Sequence, residues 1–475
     1  MDTRSITIKY SNAPHATVRT IASKSHAHRL LIAAALSDKP SKIMTPDTSK
    51  DIEATINSLN GLGARIVRHA EYIEVNPIEL FAPISDIANI ETGSPAENAP
   101  GLSKIDCGES GSTLRFILPV IGALGKTAEI TMHGRLSERP LSPMYEELIS
   151  HGLKMSSQGS NPFSISGQLT GGDYTIAGNI SSQFITGLLF ALPLINPGAS
   201  SASDNSGSNS SGILHVTGKL ESRPYVDITL DVLNEFGINI KEETLENGDT
   251  LFTIPSGQTY HSEEALTVDG DWSNAAFFLA AGALLEKGVT VTGLNIDSLQ
   301  GDKKILDILK SFGAEVSISP SAASSGILSE VTVSDITVKR TGRLQGTEID
   351  AADIPDLVPI ISVVASLSEG RTTIRNIERL KIKESDRVKT VISTLSTLGA
   401  KIFEEDNSIV IDGVPALSGG TVDSFNDHRI AMSAAIASIG CTGPVTITNP
   451  MAVEKSYPDF YNVLKDTLCE VTLGE

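Results

Sequence analysis

Cysteine is scarce: Cys107, Cys441 and Cys469 are the only three in 475 residues. They lie far apart and without metal-ligand spacing, so they suggest neither a disulfide framework nor a zinc site. Positive charge is also short, with 37 Lys and Arg against 57 Asp and Glu and a formal net charge of −20. A field of that sign repels polyanions and speaks against nucleic acid or an anionic membrane as partner. Long hydrophobic runs are missing too. "LLIAAAL" is far shorter than a membrane span, and the opening "MDTRSITIKYSN" lacks the apolar core of a signal peptide. A cytoplasmic protein is expected. What remains is 40% apolar and 20% charged, a globular composition, and 475 residues exceed one ordinary core, so two or more domains are expected.

What is present is a repeat. Six units follow one another, each with a Gly-containing or polar start, an apolar helix, a short strand, a charged loop and a second helix. The first helices begin near Ser25, Ser110, Ser181, Ser273, Asp356 and Asp427. Their bodies, such as "LRFILPVIGAL" and "AAFFLAAGALL", are apolar nearly all round, as in helices buried on every side. The second helices, "DIEATINSLNGLG", "DITLDVLNEFG", "KKILDILKSFG" and "DRVKTVISTLSTLG", carry one apolar stripe and stop at Gly63, Gly237, Gly313 and Gly399. This pattern predicts an α/β fold of two similar domains. Each would hold three repeated units around buried helices, like an α/β barrel turned inside out. The predicted domains are residues 22–266, and residues 267–475 together with the opening strand in 1–21. Residues 199–212 and 84–103 read as loops by composition.

Charged groups recur at equivalent places. Helix N-termini attract anions. In "SKSHAHRLL", Ser25 and Arg29 share one helix face with Lys24 just before it. "GRLSERPLS" offers Arg135 and Arg139, "ESRPYVD" Ser222 and Arg223, "FNDHRIAM" Asp427, His428 and Arg429, and "AVEKSYPDF" Lys455. Taken alone, "RLKIKESDRVKT" (379–390) reads as a solvated helix start. Within the repeat it is one more charged loop on the same side of its domain, and the charges converge. A cation, a hydroxyl and a guanidinium at one helix start suit a phosphate or carboxylate.

"SKSHAHRLLIAAAL", "DCGESGSTLR", "GRLSERPL", "SSQFITGLL", "IPDLVPIISVVA", "RLKIKESDR", "NDHRIAM" and "VEKSYPDF", in order and across nearly the whole chain, resemble the 5-enolpyruvylshikimate-3-phosphate synthase family. The resemblance implies two domains of three repeats with an active site in the interdomain cleft. It implies transfer of the enolpyruvyl group of phosphoenolpyruvate to the 5-hydroxyl of shikimate 3-phosphate on the way to chorismate and the aromatic amino acids, with no cofactor and no metal. By similarity, shikimate 3-phosphate meets Lys24, Ser25, Arg29, Ser181, Ser182, Gln183, Ser222, Asp356, Arg379 and Lys383. Phosphoenolpyruvate meets Lys24, Gly111, Arg135, Gln183, Arg387, Arg429 and Lys455. Asp356 accepts the hydroxyl proton and Glu384 protonates the methylene carbon, with Lys24 and His428 in the same catalytic group and His428 supporting. The implied partners are these two small anions, and a monomer is expected. Cation-lined faces on two domains repel each other, so shikimate 3-phosphate touching Arg29 on one and Lys383 on the other is expected to close them.

Two departures from the family pattern stand out. Glu109 replaces a common Asn, and Arg379 stands where some members have Asn. Two alternatives carry different chemistry. The sister enzyme that acts on UDP-N-acetylglucosamine typically bears a reactive cysteine in the loop equivalent to "GRLSERPL", which has none here. A non-catalytic module binding anions or RNA ends is disfavoured by the net charge of −20 and by the paired Asp356 and Glu384. Cys107 reads as the idle end of a buried strand.

Overall fold

Six helices carry so many apolar residues that no face of them is left for water, and each becomes the interior of a repeat. In the computed structural model, which describes residues 5–11, 14–79, 101–195, 212–321 and 333–474, these are α1 (Lys24–Ala35), α3 (Gly111–Ala123), α5 (Ser182–Ala191), α7 (Trp272–Leu284), α9 (Val358–Ser366) and α11 (His428–Ala437). The second helices are α2 (Lys50–Gly61), α4 (Met144–Ser150), α6 (Arg223–Glu235), α8 (Ile305–Ser311), α10 (Arg387–Thr397) and α12 (Phe460–Thr467). Gly63, Gly237, Gly313 and Gly399 follow α2, α6, α8 and α10 with φ of +103°, +76°, +94° and +97°, the left-handed stop expected of them. Two helix starts differ from the sequence reading. Asp271, not Ser273, caps α7, its Oδ1 accepting from Asn274 N at 2.7 Å. Asp356 lies in the 3-10 turn Pro355–Leu357 that precedes α9.

The chain divides into two compact units. One comprises Ser25–Pro46 and Asp51–Val268; the other comprises Met1–Lys24, Asp47–Lys50 and Asp269–Glu475. Residues 22–24 and 47–50 fall with the second unit and residues 267–268 with the first, where the sequence boundaries put them the other way. Of the stretches 199–212 and 84–103 read as loops, 199–211 and 84–100 lie outside the described residues, while Leu102 and Ser103 open the strand Leu102–Asp106 and Gly212 opens the strand Gly212–Thr217, each held by backbone pairing to a neighbour.

Each unit holds three four-stranded sheets of one design: a parallel pair, then two antiparallel strands. In the first unit, Leu102–Asp106 runs parallel to Thr127–Thr131 across α3, and Phe163–Gly167 and Leu153–Met155 complete the sheet. Parallel neighbours need such a helical crossover. Two sheets take their parallel partner from elsewhere in the chain. Ala265–Thr267 pairs with Ser41–Met44 in the first unit, and Ala16–Arg19 pairs with Val289–Asn295 in the second. The opening strand Ser5–Tyr10 pairs with Val445–Thr448 and Cys469–Gly474 of the second unit.

Packing around the buried helices is close. In the first unit a Cβ on Gly187 of α5 would stand 2.4 Å from the Arg115 carbonyl oxygen of α3, so only glycine allows this approach. In the second unit, Phe277, Val358, Ile361, Met432 and Ala435 bring α7, α9 and α11 into one apolar core. The effect of this packing on function is to fix the starts of the buried helices, where the charged side chains sit.

Candidate active site

Most of the predicted residues of the second unit meet at one node. Asp386 caps α10, its Oδ1 accepting from Lys389 N at 3.3 Å, which makes Arg387 the first helical residue. Asp427 caps α11 in the same way, with Oδ1 accepting from Arg429 N at 3.0 Å. Arg387 is 1% exposed and lies among three carboxylates. Its Nη1 donates to Asp356 Oδ1 at 2.7 Å, its Nη2 to Glu384 Oε2 at 2.6 Å, and its Nε to Asp427 Oδ2 at 2.8 Å. Arg429 Nη2 donates to Asp356 Oδ2 at 3.2 Å and its Nη1 to the Asp356 carbonyl at 3.0 Å. Lys383 Nζ lies 3.4 Å from Asp356 Oδ1.

These contacts set the proton affinities. Burial pushes the Asp356 carboxyl up, but Arg429, Lys383 and Arg387 together hold it well below the usual carboxylate range. Burial pulls Lys383 down against the charge of Asp356, and Arg379 and Arg387 add to the fall. Arg387 resists its burial because Asp427, Glu384 and Asp356 surround it, and it stays charged. His428 is 2% exposed with no hydrogen-bond partner on either ring nitrogen. Burial first, then Lys24 and Arg429, push it well below the ordinary histidine value, so it is a neutral imidazole. That state suits the supporting role expected of it. Within the second unit, Lys24 N–H donates to Asp271 Oδ2 at 3.0 Å, and Lys455 Nζ donates to the Asn426 carbonyl at 2.7 Å.

The stretch 379–390 is therefore two things at once. Lys381 pairs with Glu404 at 2.7 Å and Lys389 with Asp386 at 2.9 Å on the surface, while Lys383, Glu384 and Arg387 turn inward.

The first unit gathers a second set. Ser181 caps α5, and its Oγ accepts from Gln183 N at 3.3 Å; Ser182 is buried beside it. Gln183 Oε1 accepts from Arg115 Nη1 at 3.2 Å, and its Nε2 donates to Ser112 Oγ at 2.9 Å. Ser222 is buried with φ +53° at the start of α6. Arg29 is 3% exposed and binds Thr229 Oγ1 at 2.8 Å, the Tyr225 carbonyl at 2.8 Å and the Ser25 carbonyl at 2.7 Å. Burial lowers its pKa to about 9, partly offset by Tyr225. As it stands, Arg29 ties α1 to α6 and orients the Ser25 backbone.

At Gly111 a Cβ would lie 2.5 Å from Arg139 Nη1 and 2.7 Å from Arg115 Nη1, so two guanidinium groups stand against its backbone. Arg135, expected at this pocket, instead pairs with Glu138 at 3.1 Å with its side chain 66% exposed. The 3-10 turn Leu136–Glu138 separates the two arginines and sends them different ways. Glu109 leans on the same loop, since a Cβ on Gly134 would meet its Oε2 at 2.5 Å. Sequence reasoning missed Arg115 as a site residue, although its position four after Gly111 repeats the spacing of Ser25 and Arg29. It also missed Asp302, which is 3% exposed and hydrogen-bonded to Ser273. Cys107 follows a strand, fully buried, and burial pushes its thiol up to about 12. Among the described residues no cluster of His, Cys, Asp and Glu could hold a metal ion.

Known proteins match nearly the whole chain. The family model for EPSP synthase (3-phosphoshikimate 1-carboxyvinyltransferase) matches residues 8–464. The 3-phosphoshikimate 1-carboxyvinyltransferase of Clostridium novyi is 39% identical over 441 residues, covering 92% of each chain. That of Clostridioides difficile is 40% identical over 445 residues, covering 93% of each. The solved EPSP synthase of Acinetobacter baumannii superposes over 100% of both chains with a TM-score of 0.76 at 22% identity, a likeness of fold. With the motifs in their order, the repeat in its sheets and relatives matched from end to end, the chain belongs to the EPSP synthase (3-phosphoshikimate 1-carboxyvinyltransferase) family.

Proposed function

We propose that this chain transfers the enolpyruvyl group of phosphoenolpyruvate to the 5-hydroxyl of shikimate 3-phosphate and releases phosphate. The observation that carries the reading is the node at Asp356. Lys383, Arg387 and Arg429 supply positive charge around two carboxylates, and the family's substrates are both anions. Phosphoenolpyruvate is assigned to Lys24, Arg387, Arg429, Lys455, Gln183 and Gly111, with Arg139 and Arg115 standing over Gly111. Arg135 would have to leave Glu138 to join them. Shikimate 3-phosphate is assigned to Lys24, Ser25, Arg29, Ser181, Ser182, Gln183, Ser222, Arg379, Lys383 and Asp356.

The chemistry needs one group to take a proton and another to give one. Asp356 takes the proton of the 5-hydroxyl as that oxygen bonds to carbon 2 of phosphoenolpyruvate. Glu384 gives a proton to carbon 3, which becomes a methyl group. Return of a methyl proton to Glu384 then reforms the double bond as the carbon–oxygen bond to phosphate breaks. His428, buried and neutral, can orient a substrate group without changing the charge of the site.

The finer parts of the reading are a monomer in the cytoplasm, with no nucleic acid or membrane as partner. The net charge of −20 speaks against nucleic acid or an anionic membrane as partner. Among the described residues no helix is long and apolar enough to cross a membrane. Purified protein should release phosphate only when both substrates are present, with no change on adding a chelator. Turnover with UDP-N-acetylglucosamine in place of shikimate 3-phosphate would reject the assignment.

A further inference from the structure

Arg387 and Arg429 are assigned above to phosphoenolpyruvate, yet both already hold carboxylates of their own unit. Arg387 spends Nη1 on Asp356 and Nη2 on Glu384, and Arg429 spends Nη2 on Asp356, all within 3.2 Å. The third carboxylate is different in kind. Asp427 has a side chain 0% exposed, caps α11 and also accepts from Ser385 Oγ at 2.9 Å. Asp356 and Glu384 have side chains 17% and 25% exposed and lie on a turn and a loop. Arg387 thus has one fixed partner and two that can be replaced.

We propose that phosphoenolpyruvate binds by exchange, its anionic oxygens displacing Asp356 and Glu384 from Arg387 and Arg429, and that this displacement turns Asp356 into a base. The inference rests on reading this node as the phosphoenolpyruvate pocket. Until the ligand arrives, Asp356 and Glu384 satisfy guanidinium donors that Asp427 alone does not reach, and a buried donor left without a partner is costly. The ligand carries more negative charge than a single carboxylate, so it competes for both donors at once.

Release changes the surroundings of Asp356 in one direction. It loses hydrogen bonds that favour its ionised form, from Arg387 on α10 and Arg429 on α11, and keeps Lys383 at 3.4 Å. The negative groups around it are Glu384, Asp427 and, from the turn Gly301–Lys304, Asp302, which repels Asp356. His428 is neutral, and Arg379 is a positive group acting on Lys383. With its two guanidinium groups turned to the ligand, Asp356 gains proton affinity when a substrate hydroxyl must lose its proton. In the ligand-free chain it stays a weak base.

The test uses inorganic phosphate as the probe, titrated calorimetrically at fixed ionic strength into wild type, Asp356→Asn, Glu384→Gln and Asp302→Asn, with thermal melts to establish folding. Removing an internal competitor should tighten phosphate binding about tenfold in Asp356→Asn and severalfold in Glu384→Gln. Asp302→Asn removes one negative charge nearby, but Asp302 has its hydrogen bond to Ser273 and none to either arginine, so its gain should be clearly smaller. Equal or weaker binding in Asp356→Asn, or an equal gain in Asp302→Asn, overturns the exchange. Should Asp356→Asn fail to fold, the gain or its absence in Glu384→Gln decides. Phosphate that binds none of the proteins overturns both the exchange and the pocket it rests on. Repeating the titration in buffers of different ionisation enthalpy should show wild type taking up more protons per phosphate than Asp356→Asn; equal uptake refutes the activation of Asp356.

Discussion

At Gly111 one added methyl group would reach two guanidinium groups of the candidate site. Its neighbours are the far ends of Arg139 and Arg115, which can swing aside, so Gly111→Ala should fold normally while moving both guanidinium groups. A shift of about 1 Å in a positioning group can cost up to about a hundredfold in rate. The expected result is a fall of roughly 10- to 100-fold in kcat/KM for phosphoenolpyruvate, with the KM for shikimate 3-phosphate little changed, read by steady-state kinetics. Asp302 invites a different experiment. Burial, against the pull of Arg429, raises its carboxyl to about 6 from an ordinary 3.8. The folded chain therefore binds this proton more tightly than the unfolded chain, so the contribution of Asp302 to stability falls as pH rises from about 4 to about 6. Two decades of proton affinity correspond to about 3 kcal/mol. Asp302→Asn should match wild type in urea unfolding near pH 4 and exceed it by up to about that much at pH 7.5. Asp302 was invisible in "QGDKKI" because its surroundings come from α7 and α11, distant in sequence. Arg387, Arg429 and Asp427 were legible because they sit in charged runs at helix starts, where side-chain direction follows from the cap.

Among the elements, the buried helices were legible because apolar residues covered every face, and the amphipathic ones because their glycine stops stood at regular intervals. The antiparallel pairs that finish each sheet were not. Strands such as Arg65–Arg68 and Lys401–Glu405 show mostly exposed residues, and their place is set by backbone pairing to a neighbour rather than by their own apolar pattern. The exchange of parallel partners by Ala16–Arg19 and Ala265–Thr267 is likewise a property of assembly. The contact of α3 with α5 supplies the prediction at this scale. In Gly187→Ala the new Cβ would meet the Arg115 carbonyl at 2.4 Å, and backbone cannot rotate away as a side chain can. Overpacking of this kind typically costs about 1–3 kcal/mol. Denaturant unfolding should show that loss, and the moved α3 should weaken the Arg115–Gln183 contact and with it turnover.

At the scale of the whole molecule, an acidic chain concentrates its cations where anions are to be bound. The net charge of −20 and the ring of Lys383, Arg387 and Arg429 around Asp356 belong to one design. The long-range field keeps polyanions away, and local charge within about a Debye length holds small ones. In the proposed reaction carbon 3 of phosphoenolpyruvate becomes a methyl group and then loses a proton. Glu384 is partly exposed, so its proton exchanges with solvent between turnovers. The direct measurement is to run the reaction with both substrates in D2O and examine the product by mass spectrometry and NMR. Deuterium in the methylene group of an enol ether at the 5-position is the expected result. A product with an unlabelled methylene group, or phosphate release without an enol ether, would contradict the account.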